Sequence, residues 1–363
     1  MKLSIAMCTY NGAGYLQEQL DSLEAQTRRP NELVIFDDAS DNGRTREILK
    51  AFARRAKFRV RLYINQETLG SKKNFEKAIR HCRGDIILLC DQDDVWKANK
   101  LARIEEAFLA LPDVGLVFTD AEIVGENLQK IAGSLWESAS FPSESQELIK
   151  QSNFFQALLR GNVVTGATLA FRSTFRRLVL PIPEETILQH DAWIALIISA
   201  VAPLFFLNEP LIKYRQHAGQ QIGVSIKGSE YEKRDSPMIR RVRETPYPFG
   251  ETEAFKTVYA RLITKCSGLV TEENLRHIKD WVIRLENEKA ILANSDAPEE
   301  SRKDWIEMSE YLDSRIIRFE SYIRADLSRL KYRLRLKDII AVRKEILADQ
   351  QQGINETNNT RKD

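Results

Sequence analysis

Three carboxylates stand within four residues at Asp91-Gln92-Asp93-Asp94, directly behind the apolar run Ile86 to Leu89. A strand that delivers them to its carboxyl end offers the oxygen ligands that a hard divalent cation selects. In an open α/β sheet, ligands bind outside that edge. A cation there points to chemistry on a phosphate. The competing reading is an acidic turn with Asp94 as N-cap of a helix starting near Lys97, and the cluster alone does not separate the two. Two further groups invite chemistry. His190-Asp191 opens an apolar segment, where Asp191 is either a helix cap favoured by the macrodipole or a general base for an alcohol; spacing alone favours the cap. His217, one of four histidines, follows a strand-like run beside Arg215 and is a surface residue or a ligand of metal or phosphate.

The elements that must position these groups alternate. Leu3 to Thr9, Leu33 to Asp37, Val60 to Ile64, Asp85 to Cys90 and Val114 to Thr119 read as strands. Tyr15 to Gln26, Thr45 to Ala56, Lys73 to His81 and Lys100 to Leu111 read as helices between them. Such βαβ repetition predicts an α/β fold with a mostly parallel central sheet and helices on both faces. Four strand tips are polar: Thr9-Tyr10-Asn11, Asp37 to Ser40, Asn65 and the Asp91 cluster. Turn-formers explain each alone; together they describe a cleft. Further on, Gly166 to Phe171 is strand-like, a buried helix follows His190, and Leu204 to Tyr214 reads as another strand.

Composition narrows the function classes. The chain has 363 residues, 43% hydrophobic and 29% charged, with a formal net charge of +2. That balance implies no nucleic-acid partner. The four cysteines are scattered without a Cys-x-x-Cys pair, so neither a disulfide framework nor a zinc site is expected, and a reducing compartment fits. Met1 to Met7 reads into an ordered strand rather than a signal peptide. The longest apolar run, Trp193 to Leu207, is broken by Ser199 and Pro203 and falls short of the roughly 18 to 20 residues of a membrane span. Gly12-Ala13-Gly14 follows the first strand, but Gln17 replaces the third glycine of a dinucleotide fingerprint, which argues against a dehydrogenase. A Gly-Lys-Ser/Thr phosphate loop is missing as well.

Read in order, Ala6-Met7-Cys8-Thr9-Tyr10-Asn11-Gly12, Glu32 to Asp41 with Asp37-Asp38-Ala39-Ser40, and Cys90-Asp91-Gln92-Asp93-Asp94-Val95-Trp96 resemble glycosyltransferase family 2. The likeness extends to Asn65 through Gly70 to Asn74, to Lys100, to Gly166-Ala167-Thr168 and to His190-Asp191-Ala192-Trp193, covering about Lys2 to His217. It implies a GT-A fold and a nucleotide-diphosphate sugar donor, UDP- or dTDP-linked, used with Mg²⁺ or Mn²⁺ and transferred with inversion. By position it puts Thr9, Tyr10 and Asn11 around the base and Asp38 at the base or ribose, with Asn65, Asn74 and Lys100 among the donor-binding residues. Asp91 and Asp93 form the Asp-x-Asp motif, Asp93 being the best direct metal ligand. Asp191 matches the catalytic base, although His190 stands where the family commonly has Glu. The wording of Asp91 to Trp96 and of Tyr214-Arg215-Gln216-His217 is similar to bacterial rhamnosyltransferase-like enzymes of surface polysaccharides, with His217 as a third metal ligand or diphosphate contact.

These readings predict a GT-A domain over 1–224, a Pro-containing linker over 225–250, helices over 251–349 and a disordered polar tail over 350–363. The chain is expected in the cytoplasm. A basic amphipathic stretch between Arg324 and Lys344 offers contact with the inner face of the membrane, where a polyprenyl-linked glycan acceptor would lie; a solvated or oligomeric helix face is the plainer reading. The expected activity is transfer to a hydroxyl of a glycan or lipid-linked glycan in O-antigen or capsule assembly. A non-catalytic sugar-nucleotide-binding scaffold is the alternative. A processive synthase is disfavoured, because neither membrane spans nor a Gln-x-x-Arg-Trp motif is seen. Homo-oligomerisation stays open.

Overall fold

The structure is a computed structural model that describes residues 1–293 apart from 42, 139–140, 142–145, 147–153, 161, 185 and 221–248. Most of the expected linker, the expected helices past residue 293, the basic stretch and the tail therefore lie outside the described residues. The chain divides into two compact units, Met1–Lys289 and Ala290–Asp363. Everything below concerns the first.

Nine strands form one sheet among the described residues. β1 (Leu3–Thr9), β2 (Glu32–Asp37), β3 (Arg59–Ile64) and β4 (Ile86–Cys90) alternate with helices α1 (Leu16–Glu24), α2 (Gly43–Arg55) and α3 (Ser71–His81). They pair in the order β3-β2-β1-β4, parallel throughout. After β4 come β5 (Val95–Trp96), α4 (Lys100–Ala110), β6 (Leu116–Val124), β7 (Lys130–Ser134), α5 (Leu135–Ser138), α6 (Phe154–Arg160), β8 (Ala170–Arg172), α7 (Arg176–Val179), α8 (His190–Ser199) and β9 (Leu204–Arg215). The sheet continues β4-β8-β6-β9-β5, with β7 on β6. β8 runs antiparallel to both β4 and β6, while β6 and β9 are parallel.

The period of two along the strands separates two cores. Leu3, Ile5, Met7, Leu33, Ile35, Ile86 and Leu88 face Leu16 and Leu20 of α1, Phe52 of α2 and Ile104 of α4. Ala6, Cys8, Val34, Phe36, Ile87 and Leu89 face Phe75 and Ile79 of α3 and Trp193 and Ile194 of α8. Strands buried on both faces read as continuous apolar runs, as β1 and β4 do.

Two expectations change. Gly166 to Phe171 is not one strand: Gly166–Thr168 is a 3-10 turn and only Ala170–Arg172 pairs. Side chains hold that turn, since the Thr168 hydroxyl donates to Thr165 O and the Lys100 ammonium to Ala167 O. Asp94 caps no helix: α4 begins at Lys100 with Asn99 before it, and neither supplies a side-chain cap.

Past residue 248, α9 (Phe249–Lys265) and α10 (Glu272–Ala293) follow. Phe255, Val258, Leu262, Ile278 and Leu285 are buried in the same core as Trp193. Arg261 donates to Leu178 O and Pro181 O, Lys265 to Leu180 O, and Trp193 Nε1 to Val179 O, so four successive carbonyls at the end of α7 are claimed by side chains. Carbonyls at a helix end need such partners, and cations suit them. No helix of the described residues is long and apolar enough to cross a membrane.

Candidate active site

The carboxyl ends of β1, β2 and β4 are knitted together by their own polar residues. Thr9 Oγ1 donates to Asp37 Oδ2 at 3.0 Å, and the Ser40 hydroxyl donates to the same oxygen at 2.5 Å. Asn11 has φ of 51°, the left-handed region that asparagine tolerates. Its N–H reaches Ser40 Oγ at 2.9 Å, and its side-chain oxygen accepts Asp41 N–H. Thr9 is thus spent within the protein, while Tyr10 is 43% exposed beside it.

A second cluster stands on the β2 tip. Asp38 Oδ1 accepts Asn65 Nδ2 at 2.8 Å and Leu69 N–H at 2.9 Å; Oδ2 accepts Gly70 N–H at 2.8 Å. Asn65 Nδ2 also reaches Asn74 Oδ1, Asn74 Nδ2 donates to Phe36 O, and Lys77 donates to Asn65 Oδ1. Asp38, Asn65 and Asn74 are all buried. The network fixes the loop from Asn65 to Gly70, at whose end Gly70 takes φ of 82°. Both amide atoms of Asn74 take part in holding this loop.

The acidic loop joins β1 through Gln92. Its Oε1 accepts Tyr10 N–H at 2.8 Å and its Nε2 donates to Tyr10 O at 2.9 Å. A Cβ on Gly12 would overlap Gln92 Oε1, so this glycine serves close packing. Beneath, Gln19 Nε2 donates to Asp91 O.

Asp91, Asp93 and Asp191 crowd one another. Burial raises the Asp91 carboxyl to about 7, with the charges of Asp93 and Asp191 adding to the rise and Lys100 opposing it. Asp94 is fully buried and its carboxyl is pushed far up by desolvation and by its acidic neighbours. Its Oδ1 accepts Arg215 N–H at 3.0 Å, whereas Oδ2 has no partner.

The end of β9 closes over this loop. Arg215 is 1% exposed; its Nε donates to Asp93 O at 2.7 Å, its other nitrogens reach Glu126 O and the Glu18 carboxylate, and its guanidinium lies 4.7 Å from the Tyr15 ring centre. Two residues on, His217 Nε2 donates to Asp93 Oδ2 at 2.9 Å and its ring packs on Tyr15. Arg215, Gln92 and Gln19 are the residues that sequence reasoning missed. Arg215 had a signal in its position beside His217; nothing marked the glutamines.

Across the cleft, Asp191 sits in the first turn of α8. Its Oδ2 accepts Gly166 N–H at 2.9 Å and its Oδ1 accepts Ala192 N–H at 2.7 Å. Asp191 is not the cap, since Gln189 holds the N-cap position without a side-chain bond; its two backbone bonds leave carboxylate lone pairs over. His190 stacks on Phe75 at 4.2 Å, and neither ring nitrogen has a hydrogen-bond partner. Lys100, expected near the donor, is fully buried under the acidic loop with its ammonium 2.7 Å from Ala167 O and 3.8 Å from the Trp96 ring centre. It reaches no cleft surface.

The expected trio of metal ligands does not form a closed cage: among the described residues no three His, Cys, Asp or Glu side chains converge on one point. Asp93 and His217 do meet. Magnesium-type sites usually take one or two carboxylates plus substrate phosphates, so an open acidic edge fits such an ion. Crowded carboxylates and the orphaned Asp94 oxygen give the region an excess of acceptors over donors, the electrostatic setting that a cation relieves.

The family model described as glycosyl transferase family 2 matches residues 4–179. An uncharacterized glycosyltransferase of Nostoc sp. is 27% identical over 249 residues, 67% of this chain and 74% of that protein. An uncharacterized protein of Mycobacterium tuberculosis is 26% identical over 218 residues, and the chain spans 59% of its length. Among solved structures, S. aureus TarS 1-349 in complex with UDP-GlcNAc superposes with a TM-score of 0.54 at 17% identity, over 85% of this chain and 79% of that one. TarS 1-349 with UDP gives 0.52. Residues 4–179 are thus similar to glycosyl transferase family 2, and the fold is of the GT-A type.

Proposed function

We propose that the protein transfers a sugar, with inversion, from a nucleotide-diphosphate sugar to a hydroxyl of a glycan or lipid-linked glycan, in assembly of a bacterial surface polysaccharide. The observation that carries this reading is the match of residues 4–179 to glycosyl transferase family 2, on a sheet whose β4 ends directly before Asp91 and Asp93. Its donor class is supported by the solved TarS complexes with UDP-GlcNAc and UDP.

Inverting displacement needs one base for the acceptor and a way to carry negative charge on the departing diphosphate. Asp191 is oriented by two backbone N–H groups and takes the proton from the acceptor hydroxyl as its oxygen bonds to the anomeric carbon. The bond from that carbon to the diphosphate oxygen breaks in the same step. Asp93 and Asp91, with His217 beside Asp93, are the groups that would hold Mg²⁺ or Mn²⁺, and such an ion supplies Lewis-acid stabilisation of the leaving diphosphate. Exposed Tyr10 offers a ring for the base, and the Asp38 network shapes the loop beside it.

Thermal shift with UDP- and dTDP-sugars, with and without Mn²⁺, tests donor and ion together, since a ligand of the folded state raises the melting temperature. Asp191→Asn is expected to keep that shift and lose transfer by about a hundredfold or more. Near-normal turnover of Asp191→Asn would overturn the base assignment. A scaffold subunit would show the shift with no donor turnover in the unsubstituted protein.

A further inference from the structure

We propose that Lys100 is a positioning residue that sets the distance between the diphosphate side and the base side of the cleft, without touching donor or acceptor. The proposal rests on Asp191 as the base.

Lys100 is the first residue of α4, where the helix dipole disfavours a positive charge. Full burial of the ammonium is a second cost. A lysine that only filled space would be served better by methionine or leucine, so the charge must be held by partners. Burial pulls the amine down to about 7, and Asp94 and Asp91 on one side oppose that fall. Below it is the face of Trp96, the last residue of β5 in the same acidic stretch, at 3.8 Å. On the other side is Ala167 O at 2.7 Å, the middle residue of the Gly166–Thr168 turn.

That turn is what orients Asp191. Gly166 N–H, one residue before Ala167, donates to Asp191 Oδ2. Leu169 O accepts Leu89 N–H, so the turn is also continuous with β4, the strand that ends in the acidic loop. A path of covalent and hydrogen bonds therefore runs from Lys100 Nζ through Ala167 and Gly166 to Asp191, while the same ammonium attracts Asp91 and Asp94. Gly166 cannot be larger without consequence, because a Cβ there would stand 2.9 Å from His190 Nε2 and 3.5 Å from Asp191 Oδ2. Contact with a donor phosphate is excluded by the complete burial of Lys100 and by the direction of its bond.

Lys100→Met keeps the length of the side chain and removes the charge and the bond. With the nucleotide sugar that gives the largest thermal shift, it is expected to bind the matching nucleoside diphosphate and Mn²⁺ within about threefold of the unsubstituted protein, while kcat for metal-dependent donor turnover falls roughly a hundredfold, the cost of a misplaced reacting group. Gly166→Ala, which disturbs the same turn from its other end, should give the same split, and the double variant should lose little more than either single one. Turnover within threefold of normal in Lys100→Met, or nucleotide affinity falling in step with kcat, overturns the proposal. Should Lys100→Met fail to fold, Gly166→Ala alone decides: loss of kcat at unchanged affinity supports the coupling, and parallel loss of both refutes it. If Asp191→Asn is inactive and Lys100→Met normal, only this assignment falls; if Asp191→Asn is active, the base reading has failed first.

Discussion

His217 Nε2 and Asp93 Oδ2 are 2.9 Å apart although 124 residues separate them in the chain. The pair joins the end of β9 to the acidic loop, and Arg215 repeats the junction through Asp93 O. Partners that orient a metal-ligating group typically contribute 10- to 100-fold to metal affinity. His217→Ala is accordingly expected to weaken Mn²⁺-dependent nucleotide binding by about tenfold or more, with binding in EDTA unchanged. Isothermal titration with UDP or dTDP, with and without Mn²⁺, reads this directly; equal affinity in both proteins would remove His217 from the site.

Gly12→Ala should act on the same loop from the opposite strand. The added methyl displaces the Gln92 side chain and with it both bonds to the Tyr10 backbone. Overpacking of this kind costs about 1–3 kcal/mol. Nucleotide affinity should fall with stability, and Gly12→Ala/Gln92→Ala should recover part of the stability but not the affinity. Full recovery of both would show that Gln92 has no part in shaping the cleft.

His190 gives a pH test. Burial holds its imidazole below the usual histidine range, with Asp191 opposing and Lys72 assisting. The unfolded chain then takes up the proton more readily than the folded one. The contribution of His190 to stability is complete above about pH 6.5 and is lost as pH falls towards the depressed value. His190→Phe, which keeps the stacking on Phe75 and removes two unpartnered nitrogens, should match or exceed the parent in melting temperature at pH 8. Its advantage should widen as the pH is lowered to 5.5. A constant difference across that range would mean that His190 does not titrate with unfolding.

Arg261→Met probes the docking of α9 on the catalytic core. It leaves Leu178 O and Pro181 O without their donor and removes the cation lying 5.0 Å from the Trp193 ring centre. A loss on the order of 2 kcal/mol is expected, seen as a fall of roughly 5 °C in melting temperature. Nucleotide binding at low temperature should stay unchanged. An unaltered melting temperature would detach α9 from the stability of the first unit.

Much of the parallel half of the sheet was legible because β1, β2 and β4 are uninterrupted apolar runs with polar tips, a pattern set by local composition. The Asp91 cluster was legible for the same reason. What stayed hidden depends on distant pairing. The antiparallel β8 is three residues long, too short for periodicity to register, and its place between β4 and β6 follows from contacts made 80 residues apart. Lys100 is placed among the donor-binding residues by the resemblance alone, and its bond to Ala167 O, 67 residues along the chain, is not visible in the sequence. Arg215 looked like one more surface charge, and its burial depends on Asp93, Glu126 and Glu18 arriving from three separate segments.

The place of β8 also bears on how the protein is made. A nascent chain can pair β1 with β2 and β2 with β3 through single crossover helices, and β4 then returns to the far side of β1. At that stage the free edge of β4 is uncovered, and Ile86, Ile87 and Leu88 wait for Arg172, Phe171 and Ala170. The clasp of Arg215 and His217 on Asp93 comes later still. A chain cut short before β8 leaves that apolar sheet edge exposed, where quality-control proteases and chaperones can recognise it.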